Sequence, residues 1–444
     1  MALVSELQLP GFDYTDPSLR GERFHEAMRE LRARGWLASG PYGYIVLDHE
    51  AGEFFLRTRE AIFPGMTIAE IFGVDSGPLY EQFRRNILHI NGPDHTRLRG
   101  LVNPSLSARA VERYRPAMRS FLEDLLARAC AVSRVGPGGD GMVRCEFVDA
   151  FAKPYPSQTI ACVMGAPIAD APRLHHWSSW IQRQFDAAAM ATEREGIERA
   201  VREFYDYAAA LVAARRRDPG DDLISRLIAA TLPDAPTPGE TDGDGEDGGT
   251  MDGGPAAPRR SRLDDVECIN LVFNVLAGGV DTTQSQLAHT VGLLAQHPEQ
   301  WRALRERPAE LADAAVEEGL RYEPITPFTA RITTSEMTYR DVTFPSGTVV
   351  MVCAHTGNRD LAAGDGDPDR FDIAADRPRA RVLTFGAGVH YCLGANLARL
   401  ELREALSFLA ERIEVLELDG EVEYDTITGI YGLARLPIRF APVA

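Results

Sequence analysis

The chain has 444 residues, 45% of them apolar and 25% charged, which is the balance of a soluble globular protein with a large core. Its formal net charge of −18 excludes a general nucleic-acid binder, because that function needs a basic face. Residues 1–14 are mixed, with Glu6 and Asp13, and contain no apolar run of about 18 residues, so neither a membrane anchor nor a signal peptide is expected.

Apolar residues recur at three- and four-residue spacing over 20–34, which predicts the first helix. Residues 44–48 read as a strand. His95 and Arg99 are four apart and share one helix face, while Arg97 lies off that face and is expected to be solvated. Helical spacing returns over 108–132, 155–164, 172–185, 192–217 and 223–230, and the glycine-rich stretch 135–142 reads as a turn. Between Asp234 and Asp252 lie seven acids and no Lys or Arg. The surrounding stretch 233–258 has almost nothing to bury and is expected to be an acidic, disordered surface insertion, dispensable for the core.

A longer helical pattern runs from 263 to 295, about 50 Å if unbroken. Ser261 and Asp264 resemble a capping box at its start. Its middle reads Ala277-Gly278-Gly279-Val280-Asp281-Thr282-Thr283. Two adjacent glycines cost roughly 2 kcal/mol against alanine in a helix interior, and an acid with two hydroxyls adds desolvation cost on an apolar helix. A helix carrying these costs is expected to loosen here and to open a groove for oxygen and water. Glu318 and Arg321, three apart, share a helix face. Residues 348–354 read as a strand, the turn over 340–347 before it points to a hairpin, and 429–440 looks like another strand pair.

The most informative run is Phe385-Gly-Ala-Gly-Val-His-Tyr-Cys392-Leu-Gly-Ala-Asn-Leu-Ala-Arg399. Gly386 and Gly388 let the backbone fold tightly around a sulfur. The helix starting near Gly394 aims its positive end at the same sulfur, which favours a thiolate. A thiolate surrounded by N–H groups can be the axial ligand of haem iron. Cys130, Cys145, Cys162, Cys268 and Cys353 have no metal-like partner at short spacing and read as small hydrophobes; six scattered cysteines give no disulfide framework and fit a reducing cytoplasm.

With Phe385, Gly386, Gly388, His390, Cys392 and Gly394 in register, this run resembles the signature of the cytochrome P450 family of haem-thiolate monooxygenases. The resemblance extends from about residue 20 to the C-terminus. It implies one domain over 1–444, mainly α with a small β-rich lobe, with the long central helix lying over haem b. It implies Cys392 as the metal ligand, and His95, Arg99, Arg331 and His390 as partners of the haem propionates. Phe385, Gly386 and Gly394 would bind the haem on the cysteine side, and Ala277 and Gly278 on the other. Asp281 and Thr282 become an acid–alcohol pair: Thr282 holds the oxygen ligand and an ordered water, and Asp281 links that water to solvent. Glu318 and Arg321 become a structural ion pair behind the haem, tied to 358–371. The distal wall falls on 62–90, 177–189, 276–279, 325–329 and 428–431, with Phe72, Phe185, Phe328 and Tyr431 as aromatic contacts to a mostly apolar small molecule.

The function implied is a soluble, bacterial-type, cytoplasmic monooxygenase of secondary metabolism that hydroxylates its substrate with O2. Without a nucleotide fingerprint in the chain, its electrons come from ferredoxin and ferredoxin reductase, docking beside Arg377, Arg379, Arg381, Arg399 and Arg403. Oxidative coupling or ring closure keeps the same fold. A haem protein that senses or carries a ligand without catalysis is the reading from another class.

Overall fold

Helical spacing of apolar residues sets most of the architecture. The computed structural model describes residues 2–133, 141–232, 261–360, 367–375 and 381–443. Among them the helices of eleven residues or more are α1 (Gly21–Arg32), α2 (Gly92–Val102), α3 (Arg115–Ser133), α4 (Pro154–Met164), α5 (Ala171–Gln182), α6 (Arg194–Arg217), α7 (Asp265–Gly279), α8 (Asp281–Gln296), α9 (Pro308–Tyr322) and α10 (Ala395–Arg412). The apolar faces of α2–α10 meet in one contiguous core, where Phe83, Phe151, Tyr155, Phe204, Phe273 and Phe408 are fully buried, and α1 packs into a smaller cluster against the β lobe. The acidic stretch 233–258, most of 135–142, and Arg377 and Arg379 lie outside the described residues.

The helical pattern over 263–295, expected to loosen at its middle, is two helices, α7 and α8, meeting at Val280 (φ −94°, ψ −73°). Gly279 lets α4 pack closely at the junction: a Cβ there would sit 2.5 Å from Ile160 Cδ1 and would push that side chain aside. The capping box is corrected. Asp264 caps α7 by accepting from the Glu267 N–H (2.8 Å), and Glu267 accepts in return from the Asp264 N–H (3.0 Å). Ser261 lies outside the helix, its carbonyl taken by the Leu232 N–H. Arg97 is also corrected. Its side chain is only 10% exposed and ion-pairs with Glu267, joining α2 to the first turn of α7.

The β-rich lobe is a five-stranded sheet in the order Leu37–Gly40, Gly43–Val46, Val349–Cys353, Phe328–Thr333, Ala61–Ile62. Tyr44 pairs with Val350 in parallel, and Ala330 with Met351 antiparallel. The expected hairpin partner of 348–354 is therefore Phe328–Thr333. The turn before it closes a separate small hairpin, Met337–Tyr339 against Val342–Phe344, with Arg340 in the left-handed region (φ 53°). The strands within 429–440 do not pair with each other. Leu433–Arg435 pairs with Glu423–Tyr424, and Pro437–Pro442 with Ile413–Leu418 and Val143–Glu146. Leu436, wholly buried between the two segments, carries the chain from one sheet to the next.

On α9, Glu318 and Arg321 are both buried. The guanidinium grips the carboxylate through Nε (2.7 Å) and Nη2 (2.8 Å), and also donates to the carbonyls of Pro368 (2.8 Å) and Arg370 (3.0 Å). Glu318 accepts further from the Asp372 N–H at 2.8 Å. Removing one member leaves the other buried and unpaired. Arg321→Ala is thus expected to cost about 3–5 kcal/mol in denaturant unfolding, far above a surface ion pair.

Two buried imidazoles give the fold an acid-sensitive stability. His89 lies between the rings of Phe63 and Phe83, and burial pushes its pKa down to about 4. His355 is held well below the usual histidine range, first by burial and then by Arg359. Both are neutral in the native state, whereas the unfolded chain takes up protons near pH 6.5. Stability is therefore full above that pH and falls as pH drops through 6.5 toward 4, by about 1.4 kcal/mol per pH unit for each imidazole. Urea unfolding at pH 7 and pH 5 should show this loss, with a shallower slope in His89→Phe.

Candidate active site

Cys392 reaches the interior through a loop that glycine makes possible. Gly386 (φ 66°) and Gly388 (φ 69°) are left-handed, and at Gly388 a Cβ would lie 2.5 Å from the Leu56 carbonyl oxygen. The Cys392 N–H donates to the Phe385 carbonyl at 2.9 Å, which closes the loop just before α10. The loop is pinned to the end of α9 by side chains. Thr384 Oγ1 donates to the Leu320 carbonyl (2.7 Å), Asn358 Nδ2 donates to Thr384 Oγ1 (2.9 Å), and the Leu383 N–H donates to Asn358 Oδ1 (2.7 Å). Cys392 is accessible although its sulfur lies deep inside the fold, so it faces an interior space rather than bulk solvent. Burial raises the thiol above its ordinary value, while the backbone of Gly394 and Ala395 and the charges of Arg99 and Arg399 pull toward the thiolate. By contrast Cys268 and Cys353 are fully buried small hydrophobes, as expected.

Around this sulfur the structure gathers the expected cationic residues. The rings of His95 and His390 are 4.3 Å apart, and His390 Nε2 is 3.0 Å from Asn91 Oδ1. Arg99 donates to the Tyr391 carbonyl at 2.8 Å. Arg331 is 3% exposed, and its polar contact is the carbonyl of its neighbour Ala330. No carboxylate among the described residues pairs with any of these side chains. Burial lowers the Arg331 guanidinium to about 10 and His95 to about 4, with Arg99 adding to the latter. His390 is held at about 3 by burial, then by His95, Arg331 and Arg99. Arg331 is a buried cation and Arg99 a half-buried one, neither with a carboxylate partner among the described residues, while the two imidazoles are neutral; an unpaired buried charge is costly, so this rim favours an anion. Two carboxylates of a porphyrin fit it by charge and by the planar donors of Arg99 and Arg331.

The second part of the expected site is the junction of α7 and α8. A Cβ at Gly278 would meet no atom within 4 Å, so this position borders open space, whereas Gly279 packs on Ile160. Ala277 is buried, and its carbonyl accepts from Gln182 on α5. Thr282 Oγ1 donates to the Gly278 carbonyl at 2.5 Å. Asp281 is buried and accepts from the Ser178 hydroxyl, again on α5. Burial raises its carboxyl above the ordinary value, while the Ser178 hydroxyl and His175 oppose this. Gln284, to which the sequence assigned no role, meets His175 Nε2 at 2.9 Å.

The cytochrome P450 family model matches residues 21–437. The chain belongs to the cytochrome P450 family. Luteothin monooxygenase from Streptomyces thioluteus is 32% identical over 436 residues, covering 97% of this chain and 96% of its own. Erythromycin C-12 hydroxylase from Saccharopolyspora erythraea is 34% identical over 357 residues, 79% of each chain. The crystal structure of CalO2 superimposes with a TM-score of 0.81 at 30% identity, over 98% of this chain and 100% of that one. The mainly helical fold with a small β lobe is thus the P450 fold, and the family implies monooxygenase chemistry at a haem-thiolate iron. Among the described residues no helix is long and apolar enough to cross a membrane.

Within this P450 some expected contacts fall elsewhere. Tyr431 is fully buried, its hydroxyl accepting from the Gly21 N–H at 2.9 Å, and belongs to the core beneath α1. Phe328 packs on Tyr14 (5.2 Å) in the same cluster. Phe72 and Phe185 remain partly exposed. On the cysteine side, Arg399 is engaged by Glu317 and the Tyr391 hydroxyl, and Arg403 by Glu112 and Asp313, so neither is an unpaired docking cation. The polar stripe His175, Ser178 and Gln182 on α5 was missed, although its three-then-four spacing marks one helix face.

Arg331 allows a test that separates stability from cofactor retention. Arg331→Met removes a buried, acid-free cation and should stabilise the haem-free protein by about 1–4 kcal/mol in urea unfolding. The same change should speed haem loss to an acceptor globin about tenfold, the effect of losing one charge-assisted pair.

Proposed function

We propose that this P450 hydroxylates a mostly apolar, medium-sized small molecule of secondary metabolism, with Cys392 as ligand of a haem b iron. The observation that carries the reading is the accessible, inward-facing Cys392 sulfur, held at the start of α10 and rimmed by Arg99 and Arg331, which have no carboxylate partner among the described residues. His95, Arg99, Arg331 and His390 would hold the propionates, Phe385, Gly386 and Gly394 the cysteine-side face, and Ala277 and Gly278 the opposite one. Once bound, the haem supplies oxygen activation and C–H oxidation. The names of the relatives, a luteothin monooxygenase and an erythromycin hydroxylase, support a secondary-metabolite substrate. We assign electron supply to ferredoxin and ferredoxin reductase, and the site of action to the cytoplasm.

The chain's own part in the reaction is to position and move protons. Thr282 Oγ1, anchored on the Gly278 carbonyl beside open space, is placed to fix an ordered water. Adjacent helical residues point in different directions, so Asp281 faces α5, where it accepts from Ser178, and would link that water to solvent from there. Burial raises its pKa toward neutral pH, where one group can both take and release a proton.

Cys392→Ala should lose the carbon monoxide absorbance typical of thiolate-ligated haem; retention of a normal thiolate spectrum would exclude Cys392 as ligand. Thr282→Ala should bind substrate and accept electrons normally but divert them to peroxide or water, with product formation falling by about 10²-fold or more. Simultaneous measurement of NADPH, peroxide and product checks this, and full coupling in the variant would remove Thr282 from the relay. The substrate class is open to a library screen read by the optical spin-state shift.

A further inference from the structure

Helix α5 meets the α7–α8 junction through polar side chains at each turn. Gln182 donates to the Ala277 carbonyl, Ser178 donates to the Asp281 carboxyl, and His175 meets Gln284 at 2.9 Å. On one side the residues are spaced three and four apart, on the other four and three, so two helix faces are matched turn by turn. Ser178 and Asp281 are both buried, which makes the hydroxyl the nearest substitute for the water a carboxylate loses on leaving solvent. Any movement of α5 away from the junction removes that hydroxyl and admits water to the acid in the same event.

We propose that Ser178 is a positioning residue of the proton relay, holding the Asp281 carboxyl from α5, with His175 and Gln182 seating α5 on the junction. This rests on the relay role assigned above to Asp281. The geometry makes the acid's state depend on whether α5 is seated. Seated, α5 supplies a fixed donor and excludes solvent; lifted, it supplies neither. The electrostatics agree in direction. Burial raises the Asp281 carboxyl, and the Ser178 bond, then His175 on α5 and Lys153 beyond α4's start, pull it back. Loss of the serine hydroxyl alone therefore leaves burial less opposed and keeps the acid protonated to higher pH.

The test uses the haem-loaded enzyme with Ser178→Ala, Ser178→Thr and Asp281→Asn, and two readouts. The first is the infrared carbonyl band of a protonated, buried aspartic acid, titrated in the resting enzyme. The second is the pH dependence of the fraction of electrons appearing in product. In Ser178→Ala the infrared midpoint should move up by about 1 pH unit, the size expected for one hydrogen bond to a charged group. The coupling profile should move with it, and Ser178→Thr, which keeps a hydroxyl, should return both toward the parent values. If Asp281→Asn removes the band and uncouples the enzyme while Ser178→Ala shifts neither readout, the proposal is overturned and the relay role stands. If Asp281→Asn leaves coupling intact, the relay role itself fails. A shift in Ser178→Ala that Ser178→Thr does not reverse would trace to packing at α5, and would also overturn the positioning role.

Discussion

Arg321 holds the far side of the fold in place, and the position of Cys392 depends on it. Its guanidinium binds Glu318 and reaches the carbonyls of Pro368 and Arg370, so a helix and an irregular segment share one buried charge pair. The residue before it, Leu320, offers its carbonyl to Thr384, and Thr384 stands one position ahead of the cysteine loop. A buried pair of this kind adds little net stability compared with apolar packing. What it supplies is geometry, because a guanidinium fork with four of its five donors engaged tolerates only one arrangement of its acceptors.

The rim around the sulfur follows the opposite rule. His95, Arg99, Arg331 and His390 are gathered with no acid among the described residues, and burial drives the imidazoles neutral. The unpaired Arg331 guanidinium opposes folding of the empty protein, and an anion bound there would compensate it. Stability is thereby linked to the ligand: binding to the native state alone stabilises it in proportion to occupancy. Glu318–Arg321 shapes the frame whether or not the site is filled, whereas the rim gains only when it is.

Local chemistry made much of this legible in the sequence. The glycine loop, the helix after Cys392, the His95–Arg99 face and the unstable centre of the long helix all rest on residues within a few positions of one another. The errors arose where distant segments compete. Val349–Cys353 pairs with Phe328–Thr333 across an intervening hairpin, and Pro437–Pro442 finds partners nearly 300 residues away in Val143–Glu146. Arg97 looked solvated because Glu267, its partner, lies 170 positions downstream. Tyr431 has the size and chemistry of a ligand contact, but it is buried beneath α1, while Phe328 packs on Tyr14 and stays partly exposed. Side-chain periodicity predicts that a face is buried, and tertiary packing decides by what.

The junction at Val280 also replaces one helix dipole with two. Helix α7 ends there with its negative end, where carbonyls lack the N–H groups of a following turn, and α8 begins with its positive end. Asp281 is the first residue of α8, where a carboxylate gains about 0.3–1 kcal/mol from that end. The carbonyls of Ala277 and Gly278 are taken instead by Gln182 and Thr282. The interruption therefore leaves a buried acid on the positive terminus of one helix and a hydroxyl bonded to the negative terminus of the other, an electric field gradient built from backbone alone across a single residue.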